Sequence, residues 1–159
     1  MSVGGKESVQ RFEEILRAKG LNNKIVELPN NARTAKEAAD AIGCEVSHIA
    51  KSIIFRLENT KRPLLIVASG RNRIDEKKIE TYIDDTLGKA DAEFVREHTG
   101  YVIGGVPPLG HTEKIETLID EDLFEFKTIW AAAGHPKTVF ELTPDELVKM
   151  TEGQVVSVK

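Results

Sequence analysis

Lys51-Ser52-Ile53-Ile54-Phe55-Arg56-Leu57, Glu58-Asn59-Thr60-Lys61 and Pro63-Leu64-Leu65-Ile66-Val67-Ala68 form the stretch that decides the fold. Two apolar runs flank a polar turn, which is the pattern of an antiparallel hairpin ended by Ser69-Gly70. Both runs are too short to cross a membrane, which takes roughly 20 apolar residues, and read as buried strands. Alternation along the first run puts Lys51, Ile53 and Phe55 on one face.

Working toward the N-terminus, Val9, Phe12 and Leu16 recur at helical spacing and predict an amphipathic helix over residues 7–19. Residues 24–28 predict a strand closed by Pro29. Thr34-Ala35-Lys36-Glu37 is a capping-box signature, opening a helix through Ala38, Ala39 and Ile42 that stops at Gly43. A turn over 45–49 leads into the hairpin. Toward the C-terminus, helices are expected from Asp75 to Ile83 and from Asp91 to His98, each with an aspartate suited to the helix dipole. Residues 101–103 read as a strand running into a Gly/Pro loop at 104–110. Further strands are expected at 116–119, 128–133, 138–142 and 155–158. A second capping box, Thr143-Pro144-Asp145-Glu146, opens a helix to Met150, with proline at its favoured first position.

The chain has 159 residues, enough for one core without staples. No repeat, low-complexity tract or linker divides it, so a single domain over 1–159 is expected. Strict strand–helix alternation is missing. The expected class is α/β of the α+β type, with a mixed, mostly antiparallel sheet flanked by helices. The residues Met1–Lys6 lack the apolar core of a secretory signal, and the expected location is the cytoplasm, with no membrane partner. A single cysteine, Cys44, excludes an internal disulfide. The net charge of −4 argues against tracking a long phosphate backbone, though a few lysines at one mouth can still bind nucleic acid locally.

Gly104-Gly105-Val106-Pro107-Pro108-Leu109-Gly110 is the most unusual segment. Adjacent glycines let the backbone approach a ligand, and two prolines stiffen the chain and remove donors. The remaining N–H groups suit an oxyanion or phosphate. On composition alone, a tight turn between strands is the plainer reading. Lys51 reads either as a partly buried donor or as a strand-end lysine whose head reaches water. His135 follows an apolar strand and reads as a base, a pocket donor or a surface residue. Arg71, Arg73, Lys77 and Lys78 form a local basic cluster, either a solvated face or a contact for phosphates. No closely spaced histidine pair, Gly-x-Ser-x-Gly elbow or phosphate-loop signature occurs. No metal and no cofactor are expected.

Four stretches in this order resemble the YbaK/ProX family, the prolyl-tRNA synthetase insertion-domain-like editing family. They are Ile49–Phe55, Pro63–Gly70, Tyr101–Gly110 and Ala131–His135, and the resemblance runs over residues 34–150. It implies a metal-independent hydrolase of mischarged aminoacyl-tRNA, typically tRNA for proline carrying a small non-cognate amino acid such as alanine or cysteine. The family's lysine falls on Lys51, and its Gly-x-x-x-Pro motif on Gly104 and Pro108. The catalytic set implied is Lys51, Gly104, Gly105 and Pro108. The substrate-binding set is Val106, His135, Gly134, Ser69, Gly70 and Arg71. Alanine-editing members carry a Gly-His pair matching Gly134-His135, and cysteine-editing members often differ there. The implied partners are the acceptor 3′ end of a mischarged tRNA and prolyl-tRNA synthetase.

The implied mechanism has N–H groups around Gly104–Val106 hold the ester carbonyl while Lys51 positions the terminal adenosine. Water activated by a ribose hydroxyl, or a substrate thiol, attacks, and His135 lines the side-chain pocket. Two other readings stay open: a non-catalytic module binding tRNA ends or a synthetase, and a hydrolase of small esters or amides. The oligomeric state, the amino acid removed and the tRNA recognised are open at this level.

Overall fold

Every residue from Pro63 to Ser69 is buried, and the side chains divide strictly by alternation. Leu65 and Val67 enter one hydrophobic cluster with Phe12, Leu16, Val95 and Leu147. Leu64, Ile66 and Ala68 enter another with Ile79, Leu118 and Val158. A strand buried on both faces must lie at the centre of a sheet covered on both sides. Burying each such side chain contributes about 1.5–3 kcal/mol.

The computed structural model describes residues 3–32 and 34–159. Met1 and Ser2, part of the N-terminal segment read above, lie outside the described residues, as does Arg33. The elements are α1 (Val3–Ala18), β1 (Ile25–Glu27), α2 (Ala35–Ile42), β2 (Ile49–Leu57), β3 (Pro63–Ser69), α3 (Glu76–Glu80), β4 (Leu87–Lys89), α4 (Ala92–Thr99), β5 (Glu116–Asp120), β6 (Ile129–His135), β7 (Thr138–Leu142), α5 (Pro144–Thr151) and β8 (Gln154–Val156). The sheet runs β1-β7-β6-β2-β3-β5-β8, with β4 paired to β2. Four pairings are antiparallel and three parallel, the mixed, mostly antiparallel sheet expected. Phe12 and Leu16 of α1, Val95 of α4 and Leu147 of α5 fill the first cluster. Ile79 of α3 joins the second, and Ala39 of α2 packs with Ile49, Trp130 and Val139 in a third. No helix among the described residues is long and apolar enough to cross a membrane.

Both capping boxes form, at Thr34/Glu37 and Thr143/Glu146. Each joins side chain and backbone reciprocally and satisfies two free helix-end donors. Two expectations are corrected. Residues 101–103 are not a strand. Gly100 ends α4 in the left-handed region (φ 83), the Tyr101 N–H turns back onto Thr99 Oγ1 at 3.0 Å, and Gly105 N–H closes a turn on Val102 O at 3.0 Å. Tyr101 is thereby buried while Val102 and Ile103 are exposed. The helix expected from Asp75 stops at Glu80. The chain then turns and adds β4 to the edge of β2.

Candidate functional site

β2 pairs with β3 over residues 50–56. On its other side it meets β6 only at Ile49 and Ala50, and β4 only from Phe55 to Leu57. Residues 51–54 therefore have no partner strand on that side among the described residues. A cavity of about 450 Å³ opens in this gap. Its walls are residues 51–54, Trp130, Ala131 and Ala132 of β6, Thr34, Ala35 and Ala38 at the start of α2, and Ile103, Gly104 and Val106.

The gap exposes main chain. Leu57 N–H donates to Arg62 O (2.8 Å) and Gly70 N–H to Ile49 O (2.7 Å), so the odd residues of β2 face β3. By alternation the main-chain groups of Ser52 face the cavity. The Ser52 hydroxyl is buried there and has no hydrogen-bond partner among the described residues.

Gly104 forms the opposite wall in the left-handed region, φ 88. Among the described residues, neither Gly104 N–H nor Val106 N–H makes a hydrogen bond. Gly105 N–H is engaged with Val102 O and is not a free donor. The loop is held from behind. Gly134 N–H donates to Gly105 O at 3.0 Å. A Cβ on Gly105 would lie 2.8–3.0 Å from the backbone of His135, so only glycine allows this approach. Gly134 itself, at φ 104, presses on the backbone of Ser8.

Lys51 stands at a junction. It lines the cavity and also an open groove of about 440 Å³ beyond it. Its Nζ donates to Asn72 O at 3.5 Å and forms no ion pair among the described residues, leaving the ammonium available to a ligand. Asn72 is buried, and its amide donates to Asp120 Oδ2 and Asp122 Oδ2, both at 2.8 Å. Asp120 Oδ2 also accepts the Ser69 N–H at 2.9 Å. Hydrogen bonding from Asn72, then from Lys159, holds the Asp122 carboxyl below its ordinary pKa. This clasp fixes the loop that receives Lys51.

The residues named from sequence divide into three groups. Lys51, Gly104 and Val106 meet at the cavity. Gly70 and Arg71 line the groove on the other side of Lys51. The remainder support the fold around them. Pro108 is buried and faces a separate concavity with Ile15 and His111. Ser69 is fully buried, with its hydroxyl donated to Ser47 O at 2.7 Å. The cavity wall is reached by Pro136, not by His135. The His135 ring instead accepts Lys137 N–H on Nδ1 at 3.1 Å. The His135 backbone lies against Gly105, behind the loop. Sequence reasoning passed over Ser52, Asn72 and Trp130. Only Asn72 carried a local signal, as a polar residue just after a buried strand.

No Asp, Glu, His or Cys lies on the described cavity wall. The described wall therefore carries a cation and two residues with unbonded main-chain N–H groups, Gly104 and Val106, but no side chain that accepts a proton near neutral pH.

Residues 29–150 match the family model described as an aminoacyl-tRNA editing domain. The chain is 36% identical over 133 residues to "Uncharacterized protein YwhH" of Bacillus subtilis, covering 84% of each chain. It is 25% identical over 126 residues to the "Putative Cys-tRNA(Pro)/Cys-tRNA(Cys) deacylase EbsC" of Enterococcus faecalis, covering 79% of this chain and 76% of that one. A solved structure described as "a putative trans-editing enzyme for prolyl tRNA synthetase" superposes with a TM-score of 0.90 at 44% identity, covering 96% of both chains.

Proposed function

The chain belongs to the aminoacyl-tRNA editing domain family, and from that membership we propose that it is a hydrolase removing a small non-cognate amino acid, such as alanine or cysteine, from mischarged tRNA for proline. Residues 1–159 form one editing unit, acting in the cytoplasm. Prolyl-tRNA synthetase, named in the description of a relative 44% identical, is its functional partner. The observation that carries this reading is the junction of Lys51 with the free N–H groups of Gly104 and Val106 across one cavity.

A cavity of this volume takes a whole small ligand, larger than one short side chain. The terminal aminoacylated adenosine fills it. The ester carbonyl faces Gly104 and Val106, whose N–H groups stabilise the oxyanion as it forms. Each such donor is worth about 2.7–4 kcal/mol in the transition state. Lys51, which forms no ion pair among the described residues, holds the polar part of the terminal nucleotide. The described wall offers no general base, so the neighbouring ribose hydroxyl of the substrate relays the proton, taking one from the attacking water as it gives its own to the departing ester oxygen. Water oxygen bonds to the carbonyl carbon, the ester C–O bond breaks, and the ribose oxygen leaves with a proton. With cysteine, its own thiol is an alternative nucleophile. No metal ion takes part. The aliphatic walls, rich in alanine, favour small apolar groups over larger ones by sterics, where binding alone discriminates a methylene poorly.

The test is a panel of alanyl-, cysteinyl-, seryl- and threonyl-tRNA. At least one is expected to lose its amino acid faster than the spontaneous rate, unaffected by a chelator. Lys51→Ala is expected to lower that rate by about 10²–10³-fold. A panel hydrolysed only at the spontaneous rate sinks the proposal.

A further inference from the structure

One stripe of α1 grips the Gly/Pro loop. Ser8, Arg11 and Ile15 are three and four residues apart, a spacing that puts them on one helix face. Each meets a different glycine, and all three glycines lie in the left-handed region: Gly134 (φ 104), Gly100 (φ 83) and Gly110 (φ 81). Ser8 Oγ donates to Gly134 O at 2.7 Å. Arg11 Nη2 donates to Gly100 O at 2.6 Å. Ile15 packs on Gly110 so closely that a Cβ there would lie 3.0 Å from Ile15 Cδ1. Gly100 and Gly110 bracket the loop in sequence, and Gly134 holds its middle through Gly105 O.

Tyr101 sits inside this bracket. It is buried, and its hydroxyl has no hydrogen-bond partner among the described residues, so packing places the ring. A Cβ at Gly134 would lie 3.3 Å from Tyr101 Cε1, and one at Gly110 would lie 3.5 Å from its hydroxyl. The Arg11 guanidinium covers the ring face, with Cζ 4.5 Å from the centroid, where the ring attracts a cation. Arg11 thus engages both Gly100 and Tyr101, the two residues at which α4 ends and the loop begins. It is exposed, whereas Phe12 and Leu16 beside it belong to the core. Truncating Arg11 therefore takes nothing from the core.

We propose that α1 clamps the Gly/Pro loop and that Arg11 is a positioning residue, acting through Gly100 and Tyr101 on the aim of the Gly104 and Val106 N–H groups. α1 lies outside residues 29–150, the span matched to the editing domain, so turnover depends on a helix beyond that span. The effect on turnover rests on the deacylase reading, but the effect on the loop does not.

The experiment compares wild type with Arg11→Ala, Arg11→Lys and Arg17→Ala in two readouts. One is the amide nitrogen–proton NMR spectrum. The other is steady-state deacylation of whichever alanyl-, cysteinyl-, seryl- or threonyl-tRNA wild type clears fastest. In Arg11→Ala the amide peaks of Gly104, Gly105 and Val106 are expected to shift. Its kcat should fall about tenfold with KM and the urea midpoint unchanged, since misplacing reacting groups by about 1 Å can cost roughly 10²-fold in rate. Arg11→Lys keeps a cation and a donor, and should recover most of that kcat. Arg17→Ala should match wild type, because Arg17 pairs with Glu13 on the same helix. The proposal is overturned if the three amides stay in place in Arg11→Ala, if its urea midpoint falls together with its kcat, or if Arg17→Ala loses as much. Shifted amides in a protein that releases no amino acid from any aminoacyl-tRNA sink the deacylase reading and leave the clamp. Wild-type deacylation that Arg11→Ala leaves unchanged does the reverse.

Discussion

Gly134 donates its N–H to the carbonyl of Gly105 at 3.0 Å, tying the β6 hairpin to the loop that walls the cavity. Neither glycine is replaceable without movement. A Cβ at Gly105 meets the His135 backbone at 2.8–3.0 Å, and one at Gly134 meets Ser8 O at 2.8 Å. The free donors of Gly104 and Val106 are therefore aimed by contacts behind the loop, not by the loop alone.

Gly105→Ala is expected to push the loop off β6. The overpacking should cost about 1–3 kcal/mol, read as a lowered urea midpoint. It should also lower kcat/KM for deacylation at least tenfold, because the aim of the Gly104 and Val106 donors goes with the loop. Gly104→Ala separates the two effects. Its Cβ would meet nothing closer than Pro136 at 3.7 Å, and its cost comes from φ 88, roughly 1–2 kcal/mol. Equal stability and activity of Gly105→Ala and wild type would show that the loop does not need the His135 backbone.

Asn72→Ala removes the amide that donates to both Asp120 and Asp122. Asp120 is buried, and losing a buried hydrogen bond to a charged acceptor costs about 2–3 kcal/mol. The loop whose carbonyl receives Lys51 Nζ loses its anchor as well. The expected pattern is a lowered denaturation midpoint and a lowered kcat/KM, both partly recovered by Asn72→Ser, which keeps a donor, and neither by Asn72→Asp, which sets a third carboxylate against the other two. Unchanged stability would remove the clasp from the account of the site.

Much of this was legible locally. The two capping boxes were readable because their residues lie three apart and need no tertiary context. The β2–β3 hairpin was readable because both strands and their turn are contiguous. Leu87-Gly88-Lys89 was not, since three residues centred on glycine carry no strand pattern, and pairing with the β2 edge makes the strand. Tyr101-Val102-Ile103 misled because an apolar run looks extended, whereas the left-handed Gly100 and the burial of Tyr101 fold it into a turn. The gap between β2 and β6 is a property of register between distant segments. Lys51 and Gly104 could be named from sequence. The cavity between them could not.

Trp130 is the only tryptophan in the chain and lies on the cavity wall, 8% exposed. A non-hydrolysable aminoacyl-adenosine analogue entering the cavity displaces water beside the indole. Its fluorescence is expected to change saturably with analogue concentration. Ser52→Ala leaves the wall's shape almost intact and removes the unpartnered hydroxyl. A weaker saturation curve for that variant would mean that the hydroxyl binds the ligand. A fluorescence signal indifferent to saturating analogue would place the ligand outside this cavity.

His111 supplies a pH dependence whose sign follows from its surroundings. Its Nε2 lies 2.7 Å from Pro107 O. A carbonyl only accepts, so Nε2 carries the proton and the neutral ring anchors the Gly/Pro loop. Burial pushes the His111 pKa below its ordinary 6.5, while the bond to Pro107 opposes that shift. Lys19, Glu113, Lys114 and Glu152 line the same concavity, with Lys114 and Glu152 paired to each other. With the folded pKa depressed, the unfolded chain binds more protons than the folded one as pH falls below 6.5. The stabilisation is therefore complete above pH 6.5 and is lost as pH falls from there through the folded pKa. Urea midpoints measured from pH 8 to pH 5 should decline across that window. His111→Gln keeps a donor for Pro107 O without a titrating ring, and its midpoint should be flatter over the same range. If wild type and His111→Gln decline in parallel, some other group sets the acid sensitivity of the fold.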